Sequence, residues 1–128
     1  MTLRAAVFDV GETLFSEARA WAAWADWLGV DTRELAAALG ATIERRGDHR
    51  SAFELIRPGF DLRAEQAARI EAGVPDDPCA LYDRHRDAEP CLERLRAAGI
   101  RVAVAANQPS SVAPLVRELL GDGELLGI

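Results

Sequence analysis

Close to its start the chain carries a short, mostly apolar run, Leu3 to Phe8, that breaks off at Asp9-Val10-Gly11. Such a run, closed by an acid and a glycine, predicts a buried parallel strand whose C-terminal end opens into a loop. The next convincing strand pattern is Ile100 to Ala106. Parallel neighbours require long crossover connections, so the intervening segment has to be one or more crossovers.

That segment reads as helix. Ser16 is positioned to cap, Glu17 suits the positive end of a helix, and Trp21, Trp24 and Leu28 share one face before Gly29 stops it. Asp31 with Glu34, and Ser51 with Glu54, have capping-box spacing and mark two more helix starts. Asp61 begins another, which carries Leu62, Ala67 and Ile70, ends at Gly73 and is kept from continuing by Pro75 and Pro78. Residues 16–86 are thus expected to be nearly all helical, with no strand signal. From Asp87 the pattern alternates again. Pro90 suits a first helical turn, Leu92 and Leu95 form an apolar face, and Gly99 ends the helix. Asn107-Gln108-Pro109 is a loop after the second strand, Ser110 or Ser111 caps a last helix through Leu120, and Gly121-Asp122-Gly123 turns the chain toward a third strand at Leu125 to Ile128.

The expected class is α/β: an incomplete Rossmann-like parallel sheet (residues 1–15 and 87–128) with an all-helical module (residues 16–86) inserted after the first strand. Open parallel sheets bind ligands outside their strand C-termini, so the loops Asp9 to Thr13 and Asn107 to Pro109 should lie side by side as the site.

Composition narrows the function classes. At 128 residues, with 49% hydrophobic and 28% charged residues, the chain resembles one soluble domain rather than a disordered segment. A net charge of -6, with the arginines dispersed among acids, argues against a nucleic-acid surface. All 15 basic residues are arginine, which most simply reflects coding bias. Cys79 and Cys91 are too few for a disulfide framework and lack zinc-site spacing, so a cytoplasmic location is expected. No stretch fits a signal peptide or a membrane span.

Phe8-Asp9-Val10-Gly11-Glu12-Thr13-Leu14 resembles the first signature of the haloacid dehalogenase-like (HAD) superfamily, a strand-end Asp followed by a variable residue, often a second Asp, and then Gly-Thr-Leu or a close variant. Ala103-Val104-Ala105-Ala106-Asn107 resembles the second, an apolar strand ending in Ser or Thr and commonly followed by Asn. The family also inserts a helical cap between the two. The resemblance implies phosphoryl transfer: Asp9 attacks phosphorus to give an aspartyl-phosphate that water hydrolyses. It further implies a magnesium ion (Mg2+) bridging Asp9 and the phosphate, with the Gly11 main-chain carbonyl as a second metal ligand. Thr13 matches the position whose hydroxyl supports the loop; Ala106 and Asn107 fall where the family binds the phosphate of a small phosphorylated metabolite.

The departures are equally specific. Gly11 stands where many family phosphatases have a second Asp as general acid and base, a group whose loss costs about 10² to 10⁴ in rate. Glu12 is adjacent but is read as solvated or capping. Ala106 lacks the usual phosphate-binding hydroxyl. The family also needs a later Lys or Arg that pairs with phosphate and nucleophile, and a later acidic pair; this sequence has no Lys, and nothing after Ile100 resembles that pair on a strand, since Asp122 and Glu124 read as solvated turn residues. The strand that would flank the first strand is also missing. A fragment, a truncated product, and a chain that completes its sheet by association, including as a homo-oligomer, all stay open.

Trp21, Trp24 and Trp27 read as core of the helical module. His49 and His85 read as surface residues, and Arg45, Arg46 and Arg50 as a solvated helix face. The leading function is a phosphatase-type hydrolase. The alternatives are a catalytically silent binding or assembly module on the same fold and, last, a 2-haloacid dehalogenase.

Overall fold

The computed structural model describes residues 2–128. In chain order the elements are β1 (Ala5–Phe8), β2 (Phe15–Ser16), α1 (Ala18–Leu28), α2 (Thr32–Glu44), α3 (Ser51–Ile56), α4 (Leu62–Glu71) and α5 (Pro78–Leu81). They continue with β3 (Asp83–Arg84), α6 (Ala88–Ala97), β4 (Arg101–Ala105), a 3₁₀ turn (Ser110–Val112), α7 (Ala113–Leu120) and β5 (Glu124–Gly127). Two compact units result: the residues up to Glu17 together with Asp77–Ile128, and Ala18–Asp76. Residues 77–86, expected from sequence to belong to the helical module, pack in the first of these.

The first unit is an α/β domain built on a parallel sheet in the order β1-β4-β5. Ala5 to Phe8 pair with Arg101 to Val104 in register, while β4 and β5 pair with an irregularity between Val104 and Ala105. Val102, Ala103 and Val104 are buried in succession, as befits a strand covered on both faces. β1 differs from the buried strand expected: Val7 is 59% exposed. Among the described residues β1 is an edge strand, paired on one side only, and the face carrying Ala5 and Val7 is exposed. Leu92 from α6, Val112 from the 3₁₀ turn and Val116 and Leu120 from α7 close the core with Val10 and Phe15. Gly99 takes φ +73 after α6, a left-handed turn that directs the chain toward β4 without a Cβ penalty.

A second sheet has no counterpart in the sequence pattern. β2 and β3 form a two-residue antiparallel pair, Phe15 with Arg84 and Ser16 with Asp83. Ser16 is therefore a strand residue, and α1 starts at Ala18. Ser110 and Ser111 likewise lie within the 3₁₀ turn, and α7 begins without a side-chain cap.

The helical unit has its own core, in which Trp24, Ala25, Leu35 and Phe53 are buried. Phe53 and Phe60 stack at 4.7 Å, and Trp24 lies 4.9 Å from Phe53. Trp27 Nε1 donates to Glu65 at 2.6 Å, which satisfies the indole as its ring packs. Asp31 and Asp61 cap α2 and α4 by accepting backbone N–H bonds, as their spacing predicts. Ser51 does not cap: it is the first residue of α3, and Glu54 instead accepts the N–H groups of Gly59 and Phe60.

Among the described residues Arg69 is the largest fully buried side chain. Its Cζ lies 3.9 Å from the Trp24 ring centroid, and its Nη1 and Nη2 donate to Asp76 at 2.7 Å and to the Pro75 carbonyl at 3.1 Å. Burial lowers the guanidinium's pKa while Asp76 acts in the opposite sense, and an arginine nonetheless stays charged. Removing its counter-ion strands a buried cation, which costs about 3–5 kcal/mol. Loss of an exposed helix cap costs about 1 kcal/mol. In urea denaturation Asp76→Ala is therefore expected to destabilise the protein several times more than Asp31→Ala; equal effects would show that the buried pair contributes no more than a cap.

Candidate active site

The site is built on the loop between β1 and β2. The side chain of Val10 is fully buried, and its carbonyl accepts the N–H groups of Thr13, Leu14 and Phe15 at 3.2, 2.9 and 3.1 Å. Glu12 N–H donates to the Phe15 carbonyl at 2.7 Å. Closing so tight a loop forces Glu12 to φ +54, a left-handed conformation uncommon for a non-glycine residue. The Glu12 side chain is engaged as well, with Oε1 accepting the N–H of Glu17 at 2.7 Å. It ties down the backbone just before α1, in keeping with a capping role.

Asp9 lies immediately after β1 and is exposed, with one oxygen accepting the Val10 N–H at 2.7 Å. The register of β1 against β4 sets Phe8 opposite Val104, so the loops that follow the two strands leave the sheet at the same edge, as topology predicts. Thr13 is exposed in the β1–β2 turn. Ala106 is half-buried and donates its N–H to the Gly127 carbonyl at 3.1 Å, so that amide is already committed to the β5 edge. Asn107 is exposed just beyond it.

Glu17, read from sequence only as a helix-start acid, meets Tyr82 and Gln108 beside this loop. Glu17 Oε1 lies 2.6 Å from Tyr82 Oη and 3.1 Å from Gln108 Nε2, and Tyr82 Oη lies 3.0 Å from Gln108 Oε1. The phenol has one proton, and a carboxylate is its stronger acceptor. Burial pushes the Tyr82 pKa well up, and the hydrogen bond and negative charge of Glu17 raise it further. The remaining Glu17 oxygen lies over Gly11: a Cβ added there would stand 2.7 Å from Glu17 Oε2 and 2.8 Å from Gln108 Nε2. A glycine at the usual position of a side chain was the available sequence signal. Its occupant could not be named, because the contacts join residues 65 and 91 positions apart.

His85 departs from its expected surface setting, since its Nε2 is buried without a hydrogen-bond partner. His49 is half-exposed beside Asp48. Asp122 is exposed, and Glu124, expected in a turn, opens β5. Together with Arg96, Gly99, Ile100, Arg101, Val102 and Gly123 they line an open groove of about 340 Å³. That groove lies at the N-terminal ends of β4 and β5, the wrong end of a parallel sheet for a ligand site.

Magnesium takes near-octahedral oxygen coordination. Among the described residues no three His, Cys, Asp or Glu side chains gather to hold a metal. Asp9 and the Gly11 carbonyl are too few donors for a built site, so the residues of this chain do not by themselves fit the ion.

No family profile and no curated protein matches this sequence. Among solved structures the chain is similar to a HAD phosphatase from Thermococcus onnurineus, at 18% identity and a TM-score of 0.43, with 98% of this chain and 62% of that chain covered. It thus spans less than two thirds of that protein's length. Among the described residues no helix is long and apolar enough to cross a membrane.

Because Tyr82 is the chain's single tyrosine, its ionisation can be followed directly by absorbance. A raised folded-state value means that the protonated phenol is favoured in the native protein. Its contribution to stability is complete below the ordinary value of 10.0 and is lost as pH climbs through the folded-state value. The phenolate band is therefore expected to stay absent as pH passes 10.0 and to appear only as the protein unfolds, whereas titration at the ordinary value in folded protein would show that Tyr82 is free of Glu17.

Proposed function

We propose that the chain carries the nucleophile-bearing part of a HAD-like hydrolase of phosphatase type, which acts on a small phosphorylated metabolite through an aspartyl-phosphate on Asp9. The observation that carries this reading is the exposed Asp9 carboxylate at the C-terminal end of β1, with one oxygen held by the Val10 amide. A carboxylate fixed by one backbone bond attacks with its other oxygen, and holding it in line reduces the entropy cost of the step. Thr13 and Asn107, both exposed on loops at that edge, are the proposed side-chain contacts to the phosphate, with the loop carrying Ala106 alongside. A magnesium ion, if bound, would be held by Asp9 and the Gly11 carbonyl, too few protein donors for a built site, and would screen the charge of the phosphate.

The second reading is a catalytically silent module on the same fold, favoured by the lack of any side-chain hydroxyl at Ala106 and of a carboxylate on Gly11. One experiment separates the two. Incubation with acetyl phosphate or phosphorylated metabolites, followed by acid quench and mass spectrometry, is expected to place a phosphoryl group on the Asp9 peptide of the wild type, with none in Asp9→Asn. Turnover should fall at least 10²-fold in that variant, on the order of the loss of a nucleophile. Equal background rates and no adduct in either protein would establish the silent module.

A further inference from the structure

We propose that Glu17 is the proton-transferring carboxylate of this site, acting through Oε2 over the vacant side-chain position of Gly11; the inference rests on the Asp9 reading above.

The vacancy itself is informative. Gly11 does not have a positive φ, so its backbone would accept any residue. What excludes a side chain is occupancy, since an added Cβ would meet Glu17 Oε2 at 2.7 Å, Gln108 Nε2 at 2.8 Å and Glu17 Cδ at 2.9 Å. The space is filled by a carboxylate delivered from the far side of β2. Two residues of backbone span at most about 7 Å, so that carboxylate stands in the neighbourhood of Asp9.

Its fixation suits a group that gains and loses a proton. The Glu17 backbone is held by Glu12, and Oε1 by Tyr82 and Gln108. With Glu17 ionised, Tyr82 and Gln108 both donate to Oε1. With Glu17 protonated, Tyr82 turns its proton to Gln108 Oε1, 3.0 Å away, while Gln108 Nε2 still donates to Glu17. In either state the Tyr82 hydroxyl proton has an acceptor within the ring, so the charge can change without rebuilding the site.

The chemistry balances with water as the only co-reactant. The free oxygen of Asp9 bonds to phosphorus, the bond from phosphorus to the leaving oxygen breaks with its electron pair, and that oxygen takes the proton from Glu17 Oε2. The resulting carboxylate then takes a proton from water as the water oxygen attacks phosphorus. The bond from phosphorus to Asp9 breaks and its electron pair returns to Asp9. A phosphate monoester and water thereby become an alcohol and inorganic phosphate. An alkoxide leaves poorly without a proton, whereas p-nitrophenolate leaves readily, so the class of substrate that needs Glu17 is the alkyl phosphate.

The test uses the full chain and four proteins: wild type, Glu17→Gln, Glu17→Ala, and Glu17→Ala combined with Gly11→Asp. In Glu17→Gln the amide keeps the ring's hydrogen bonds but cannot transfer a proton. It is expected to lose about 10²-fold or more on glycerol phosphate, to keep its burst of p-nitrophenol from p-nitrophenyl phosphate, and to accumulate phosphorylated Asp9. The double variant, which brings a carboxylate to the same place from residue 11, is expected to recover alkyl phosphate turnover that Glu17→Ala has lost. If the wild type labels Asp9 and turns over while Glu17→Gln matches it on both substrates, the inference fails and the Asp9 reading stands. A loss that is equal for the two leaving groups and is not rescued by Gly11→Asp marks a structural role and also overturns it. A wild type that never labels Asp9 overturns both.

Discussion

The carbonyl of Val10, shared among three backbone amides, is the interaction on which the rest of the site depends. A buried side chain anchors the residue, and the loop winds around its carbonyl. Asp9 is fixed on one side and Gly11 on the other, while the chain turns within a few residues from a parallel strand into β2. A buried carbonyl left unpaired costs as much as a lost hydrogen bond, so this compact winding is also the arrangement that satisfies the backbone. Its strain is confined to Glu12, whose left-handed conformation is offset by the bond it makes to the Glu17 amide.

The two units achieve burial by different chemistry. The sheet unit uses Val and Leu from α6, α7 and β4, small aliphatic side chains that pack closely against a pleated surface. The helical unit has short helices and no sheet, and it concentrates its buried area in Trp24, Phe53 and Phe60. Arg69 closes that aromatic cluster, its guanidinium spread over an indole and its charge answered by Asp76. Ring face, carboxylate and carbonyl replace much of the water such a cation would keep, while its Nε is buried without a partner.

What could be read from sequence was what local chemistry encodes. The β1 run ending at Asp9, the β4 run, and the caps at Asp31 and Asp61 each depend on residues a few positions apart, and each was legible. Ser51 does not cap for the opposite reason: the Asp48 turn ahead of α3 displaces it. β2 and β3 are two residues each, too short to show a period, and only their mutual pairing makes them strands. Glu17 is legible as an acid at the start of a helix. Its further setting comes from Tyr82 and Gln108, which arrive from distant parts of the chain and leave no local pattern. Gly11 looks like a deficit in one dimension; in three, its missing side chain is the space that another carboxylate enters.

The central claim is that Asp9 presents a reactive oxygen at the strand end while Glu17 holds its carboxylate over Gly11. A crystal structure of the protein with beryllofluoride, a stable mimic of the phosphoryl group, measures both at once. The account predicts beryllium bonded to the Asp9 oxygen that does not accept the Val10 amide, with Glu17 Oε2 beside the fluorides. An unmodified Asp9 at saturating beryllofluoride, or a Glu17 carboxylate turned away from Gly11, would contradict it.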